Sequence, residues 1–315
     1  TSGGVTATSG GIAVASLAVS AGGAVTLSNA SNALGTVAIT TDTAGNLSVT
    51  DSNGFTVGSV DGVAGVVAND GSVTLTPGGT LVATQAVTAA GSGNALTVSG
   101  DNAITLSGVT LTTAAGNIAL GSGAITLDTG TVTLTTGSGS AGNISQSGNV
   151  NGAQDLTVEA GSGTVSVGTI GNSTAVGALT IDGSGGITLN GDVTSTGTQT
   201  YGDAVTLAGN TTFTTSDDKL TFTSTLAGSD SARNVTAALG TGGMEFGGAA
   251  TSNIGTLDIT AGTLTQTGAI TTSNNTTMTL SNATALGAIN VGSNTLTVSS
   301  GGAITQTGAL TAGTL

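Results

Sequence analysis

The chain has 315 residues, 55 of them glycine, with one proline, no cysteine and no histidine. Sixteen acids against two cations give a formal net charge of −14. With only Lys219 and Arg233 to neutralise phosphates, the sequence excludes a nucleic-acid binder and argues against an anionic membrane surface, and without Cys or His it holds no thiolate or imidazole metal site.

Disorder is the first alternative for a chain so rich in Gly, Ser, Thr and Asn. It is rejected because 37% of the residues are hydrophobic and these alternate with Thr and Ser. From the N-terminus the unit is an apolar–polar–apolar triplet: Val25-Thr26-Leu27, Leu47-Ser48-Val49, Val73-Thr74-Leu75, Leu96-Thr97-Val98, Ile104-Thr105-Leu106, Ile125-Thr126-Leu127 and Val132-Thr133-Leu134. The series continues through Leu156-Thr157-Val158, Val165-Ser166-Val167, Leu179-Thr180-Ile181, Ile187-Thr188-Leu189, Val205-Thr206-Leu207, Leu257-Asp258-Ile259 and Leu296-Thr297-Val298. A period of two predicts strands, and β-branched residues suit a pleated surface. Turn pairs separate them: Asn53-Gly54, Asp61-Gly62, Asp70-Gly71, Asn151-Gly152, Asp182-Gly183 and Asn190-Gly191. Helical periodicity is absent.

Five aromatics cannot girdle a membrane barrel, anchor tandem sandwiches or mark propeller blades. Short strands, small core residues and frequent turns predict an all-β, right-handed parallel β-helix (a β-solenoid) with about 20 residues per coil. The expected organisation is one continuous array over 1–315, with 211–250 the least regular part. At a strand spacing of about 4.8 Å, some 14 or 15 coils give a rod of roughly 70 Å. The lone proline, Pro77, is expected outside central strand positions. A phrase recurs at matching intervals: ISQSGNV at 144–150, LTQTGAI at 264–270 and ITQTGAL at 304–310. The interval from Gln266 to Gln306 corresponds to two coils, and that from Gln146 to Gln266 is three times as long.

The stretch TQTYGDAVTLAGNTTFTTSDDKLTFTSTLAG (198–228), the two QTG phrases and MEFGGAATSNIGTLDIT (244–260) together resemble the strand repeats of bacterial surface proteins of the filamentous-haemagglutinin type, including autotransporter-type passengers. The resemblance covers most of 86–315. It implies a right-handed β-helix exported across the outer membrane by two-partner secretion or as an autotransporter-like passenger, acting in adhesion, biofilm or surface fibres. It implies no catalytic residue.

Candidate sites are few. Asp217, Asp218 and Lys219 form the densest charge cluster; they are candidates for Ca²⁺ or saccharide contact, against a plain polar corner. Paired carboxylates can drive glycoside hydrolysis, but adjacent strand residues point to opposite faces, so the chain reads as non-catalytic, with no cofactor. Gln146, Gln266 and Gln306 either turn inward as stacked amides or sit on the outer face. Threonines two apart raise an ice- or carbohydrate-binding surface. Asn-x-Ser/Thr triplets at Asn46, Asn143, Asn210, Asn234 and Asn275 leave glycosylation open.

TSGGVTATSG is neither basic nor apolar, so no signal peptide is read, and no 18-residue apolar run predicts a membrane span. The expectation is a mature segment, cut from something longer, at an extracellular or bacterial cell-surface location. Its function is a structural and adhesive rod of a surface or secreted fibre, with a self-assembling extracellular filament subunit as the alternative. Partners are the chain itself, end to end or laterally, neighbouring repeats, or cell-surface glycans. Lys219 and Arg233 are its only two trypsin sites.

Overall fold

The computed structural model describes residues 3–139, 141–230, 232–248 and 250–315. Among them there is no helix, hence none long and apolar enough to cross a membrane. Every named strand pairing but one is parallel, and each strand pairs with the equivalent strand one turn on. The chain is a β-solenoid, divided into two compact units, Thr1–Val165 and Ser166–Leu315.

In the first unit one side of the coil is the ladder Val5–Thr6, Val25–Leu27, Leu47–Asp51, Val73–Pro77, Leu96–Val98, Ile118–Leu120 and Ile144–Gln146. Its register runs Val5↔Val25, Val25↔Leu47, Leu47↔Val73, Val73↔Leu96, Leu96↔Ile118 and Ile118↔Ile144. Turn length is therefore not constant: the shortest turn runs from Val5 to Val25, the longest from Leu47 to Val73 and from Ile118 to Ile144. The other sides begin as long strands, Ala13–Ala21 and Ala33–Ala44. Ala33–Ala44 then pairs with two shorter strands of the next coil, Thr56–Val57 and Val66–Asp70. From there each coil has three strands, for example Ile118–Leu120, Ile125–Leu127 and Val132–Thr135.

The second unit repeats this plan. One side holds Ile187–Leu189, Val205–Leu207, Leu226–Gly228, Ala250–Ser252, Ile270–Thr271, Ile289–Asn290 and Leu310–Thr311. Its turns are shortest at Ile187↔Val205 and longest at Leu226↔Ala250. A second side is the six-stranded ladder from Val193–Thr194 to Leu296–Ser300.

The triplet explains the strand. In Val73–Leu75, Leu96–Val98 and Ile187–Leu189 the two aliphatic residues are buried and the Thr between them is half-buried. Alternate side chains point to opposite faces, so the aliphatics fill a thin core and the hydroxyls meet water. All fourteen predicted triplets lie in strands. The corners need glycine where coils touch backbone to backbone: a Cβ on Gly79 would overlap the Asn53 carbonyl oxygen of the coil before.

Two local features depart from the simple pattern. Pro77 is the last residue of the strand Val73–Pro77, buried and in register with Asp51. It escapes the ladder's demand for an N–H by closing the strand. The one antiparallel pair among the described residues, Ser59–Val60 with Val63–Ala64, is a hairpin. Its turn, Asp61-Gly62, has φ of 50° and 82°, the left-handed pair that a two-residue hairpin demands. The described residues of 211–250 lie in strands and turns of the same plan, with register shifts at Leu226/Ala227 and Arg233/Val235.

Candidate functional site

The second unit holds the largest buried side chains. Tyr201, Phe222 and Phe246 are in register on successive coils and fully buried. Tyr201 and Phe222 stack with centroids 5.1 Å apart, Phe222 and Phe246 at 5.8 Å. Phe213 meets Tyr201 and Phe222 edge-on, at 5.8 and 5.3 Å. Burial pushes the Tyr201 phenol well above its ordinary range. Its hydroxyl lies 3.4 Å from Gln199 Oε1, and Gln199 Nε2 donates to the Thr214 carbonyl at 2.8 Å. This cluster is a satisfied core.

The column continues into the recurring phrase, because Phe246 is in register with Gln266. In all three copies the Gln amide donates to the carbonyl of the glycine two residues on. Gln146 donates to Gly148, Gln266 to Gly268 at 2.9 Å and Gln306 to Gly308 at 2.8 Å. Gln266 also reaches the Ala288 carbonyl of the next coil at 2.7 Å. The following hydroxyl reaches back one coil: Ser147 to Gly121, Thr267 to Phe246 and Thr307 to Leu286. The phrase is thus a corner device: the Gln amide serves the carbonyl of its own turn glycine, and the hydroxyl adds a second donor to a carbonyl that the backbone of the next coil already reaches. A column of touching glutamines is not what forms. Gln306 is in register with Leu286, which occupies the turn between it and Gln266, and each amide donates to a glycine carbonyl of its own corner. Gln146 is buried, Gln266 half-buried and Gln306 exposed.

Asp217, Asp218 and Lys219 sit in the turn between the strands Thr211–Thr214 and Leu220–Phe222, and they do not converge. Asp217, at φ 66°, accepts the Thr241 N–H of the next coil at 2.7 Å. The Asp218 carbonyl accepts the Thr215 hydroxyl at 2.7 Å. Lys219 pairs with Glu245. Each group serves the corner. Among the described residues no group of three or more carboxylates is placed to hold a metal ion.

Sequence reasoning passed over a carboxyl pair. Asp203 is held above the usual carboxylate range, first by sharing a hydrogen bond with Asp182, then by desolvation and the Asp182 charge, with the Gly183 backbone opposing. The two acids stand one turn apart along the chain, and that spacing was the available signal. The coil 296–315 also leaves an apolar hollow of about 540 Å³, lined by Leu286, Leu296, Val298, Ile304, Leu310 and Leu315 among others. Ile304 is 47% exposed and Leu315 81%.

A family model described as repeats of unknown function (DUF5649) matches residues 273–315. That span contains the last copy of the Gln phrase and the hollow. No curated protein and no solved structure matches the chain.

Proposed function

We propose that the chain is a structural, adhesive rod segment of an exported bacterial surface fibre of the filamentous-haemagglutinin type. The observation that carries this reading is the in-register parallel ladder of each unit, with aliphatic residues inside and hydroxyls outside, turn after turn. Such a stack is stiff because each coil's backbone bonds and apolar faces are completed by its neighbours. Its function in this reading is mechanical and non-catalytic: to hold a binding surface away from a cell. The match of 273–315 to a repeat family supports the repeat character, and the low cation count suits an exposed, protease-rich setting. Outward Thr and Ser offer hydrogen bonds to cell-surface glycans. Electron microscopy of the purified chain, with binding to immobilised glycans, tests the reading. Discrete rods of roughly 70 Å that retain glycans are expected, since coils rise by about 4.8 Å each. Globular particles without glycan binding overturn it.

A further inference from the structure

The residue just before the first buried position of a strand sits at a corner, where an N–H of the next coil leaves the ladder and needs an acceptor. In the first unit Asn46 Oδ1 accepts the Ser72 N–H at 3.0 Å, Asn117 Oδ1 accepts Asn143 N–H at 2.9 Å and Asn143 Oδ1 accepts Thr164 N–H at 2.8 Å. In the second unit Asn210 Oδ1 accepts Asn234 N–H at 2.9 Å, Asn234 Oδ1 accepts Thr256 N–H at 3.1 Å and Asn275 Oδ1 accepts Thr295 N–H at 3.0 Å. Each carboxamide is exposed and held by its oxygen. Among the described residues none of the six Nδ2 groups makes a hydrogen bond, so each faces solvent.

Five of these six asparagines, all but Asn117, head an Asn-x-Ser/Thr triplet. The coil geometry disposes each triplet alike. The middle residues Leu47, Ile144, Thr211, Val235 and Thr276 are buried, and the hydroxyl residues Ser48, Ser145, Thr212, Thr236 and Thr277 point outward beside the amide. None of those five hydroxyls is engaged by another described group. Four further triplets, at Asn29, Asn172, Asn274 and Asn282, lack the ladder bond, and the Asn29 amide is turned onto the Thr8 carbonyl.

We propose that Asn46, Asn143, Asn210, Asn234 and Asn275 are N-glycan acceptors, each taking a hexose or N-acetylhexosamine on Nδ2. Nδ2 forms the bond to the anomeric carbon of a sugar carried on a diphosphate donor. The bond from that carbon to the phosphate oxygen breaks, and the diphosphate leaves with its electron pair. Nδ2 gives up one of its two protons. The product keeps the amide carbonyl, so the ladder bond through Oδ1 survives and the sugar projects from the corner. The motif thus serves two ends with two atoms of one side chain: Oδ1 builds the coil and Nδ2 carries the modification.

Asn117 supplies the internal control. It makes the same ladder bond but is followed by Ile118-Ala119. The test is to incubate the whole folded chain, and a urea-unfolded control, with a soluble asparagine N-glycosyltransferase and its nucleotide-diphosphate hexose. Sites are mapped by mass spectrometry after non-specific proteolysis. The expected result is sugar on the five asparagines of the folded chain and none on Asn117. Ser145→Ala then abolishes modification at Asn143 alone, Ala119→Thr brings Asn117 into the acceptor set, and the glycosylated chain keeps its β-type circular dichroism and urea midpoint. The proposal is overturned if the folded chain stays unmodified, whether or not the unfolded control is modified. It is equally overturned if Asn117 of the parent chain is modified as fully as Asn143, or if adding the sugar lowers the urea midpoint.

Discussion

The two units build one kind of coil from different core material. The first buries aliphatic residues and a single aromatic, Phe55. The second places Tyr201, Phe213, Phe222 and Phe246 together in its interior. Turn length varies within both: Leu47↔Val73 and Ile118↔Ile144 span more chain than any turn of the second unit's main ladder, and Ile187↔Val205 spans less than any in the first. What recurs is the parallel pairing of each strand with its equivalent one turn on, interrupted by local shifts such as that at Leu226/Ala227, and the chemistry of the corners. Side-chain size is thus free to vary down a column: Tyr201 stacks on Phe222 but follows Ile181, and Phe213 lies between Val193 and Ala237. The less forgiving positions are single corner residues where backbones of successive coils touch, such as Gly79 against Asn53.

That contrast is most sharply broken in the aromatic column. Phe222→Ala removes the ring between Tyr201 and Phe246 and is expected to cost about 3–5 kcal/mol. Tyr201 is the only tyrosine, and the chain has no tryptophan, so its emission during urea unfolding reads this region directly. A loss below that of a single methylene refutes the column as a core. Next in size is the corner test. Gly79→Ala forces a Cβ onto the Asn53 carbonyl oxygen and is expected to cost about 1–3 kcal/mol or more, as overpacking does. Gly209→Ala, where a Cβ meets nothing within 4 Å, is the matched control, with an expected gain of about 0.4–1 kcal/mol from a stiffer unfolded chain. Equal effects at the two glycines undo the argument from close approach.

The recurring phrase gives a finer comparison. Gln146→Ala strips a buried carbonyl of its donor and is expected to cost about 1–3 kcal/mol. Gln306→Ala leaves a carbonyl that water reaches, and its urea midpoint is expected to match the parent within error. The smallest effect is electrostatic. Because the Asp203 pKa is raised in the folded chain, the folded state binds more protons than the unfolded chain between the ordinary carboxylate value and the raised one. Stability therefore falls as pH rises through that window. Asp203→Asn is expected to flatten this slope and raise the midpoint slightly at neutral pH; a steeper slope in the variant contradicts the shared proton.

Much of this was legible in the sequence. The Val/Ile/Leu–Thr–Val/Leu triplets declare their strands because alternation is set by the pleat alone. The long strands Ala13–Ala21 and Ala33–Ala44 were not announced: AVASLAVSA offers little contrast between faces, and ALGTVAITTDTA breaks the strict apolar–polar alternation at Val37-Ala38-Ile39. Asp61-Gly62 was legible as a turn, but not as the tip of an excursion from the coil. The Gln phrase was visible as an interval, whereas its role depends on a hydrogen bond to a glycine two residues away. The asparagine ladder did leave a trace: Asn directly before a buried aliphatic, as in Asn46-Leu47, Asn117-Ile118, Asn143-Ile144 and Asn234-Val235. Its meaning lies in a partner one turn ahead, which no local pattern shows.

The spread in turn length has a consequence for how such a gene can change. A hairpin at 59–64 lengthens the turn from Leu47 to Val73, and the ladder is back in register at that pair after a shift at Thr41/Ala44. Corners therefore absorb insertions and deletions, while the ladder realigns at the next triplet. A residue pair added at the 59–64 hairpin is therefore expected to disturb the fold less than one added inside a ladder strand such as Val73–Pro77.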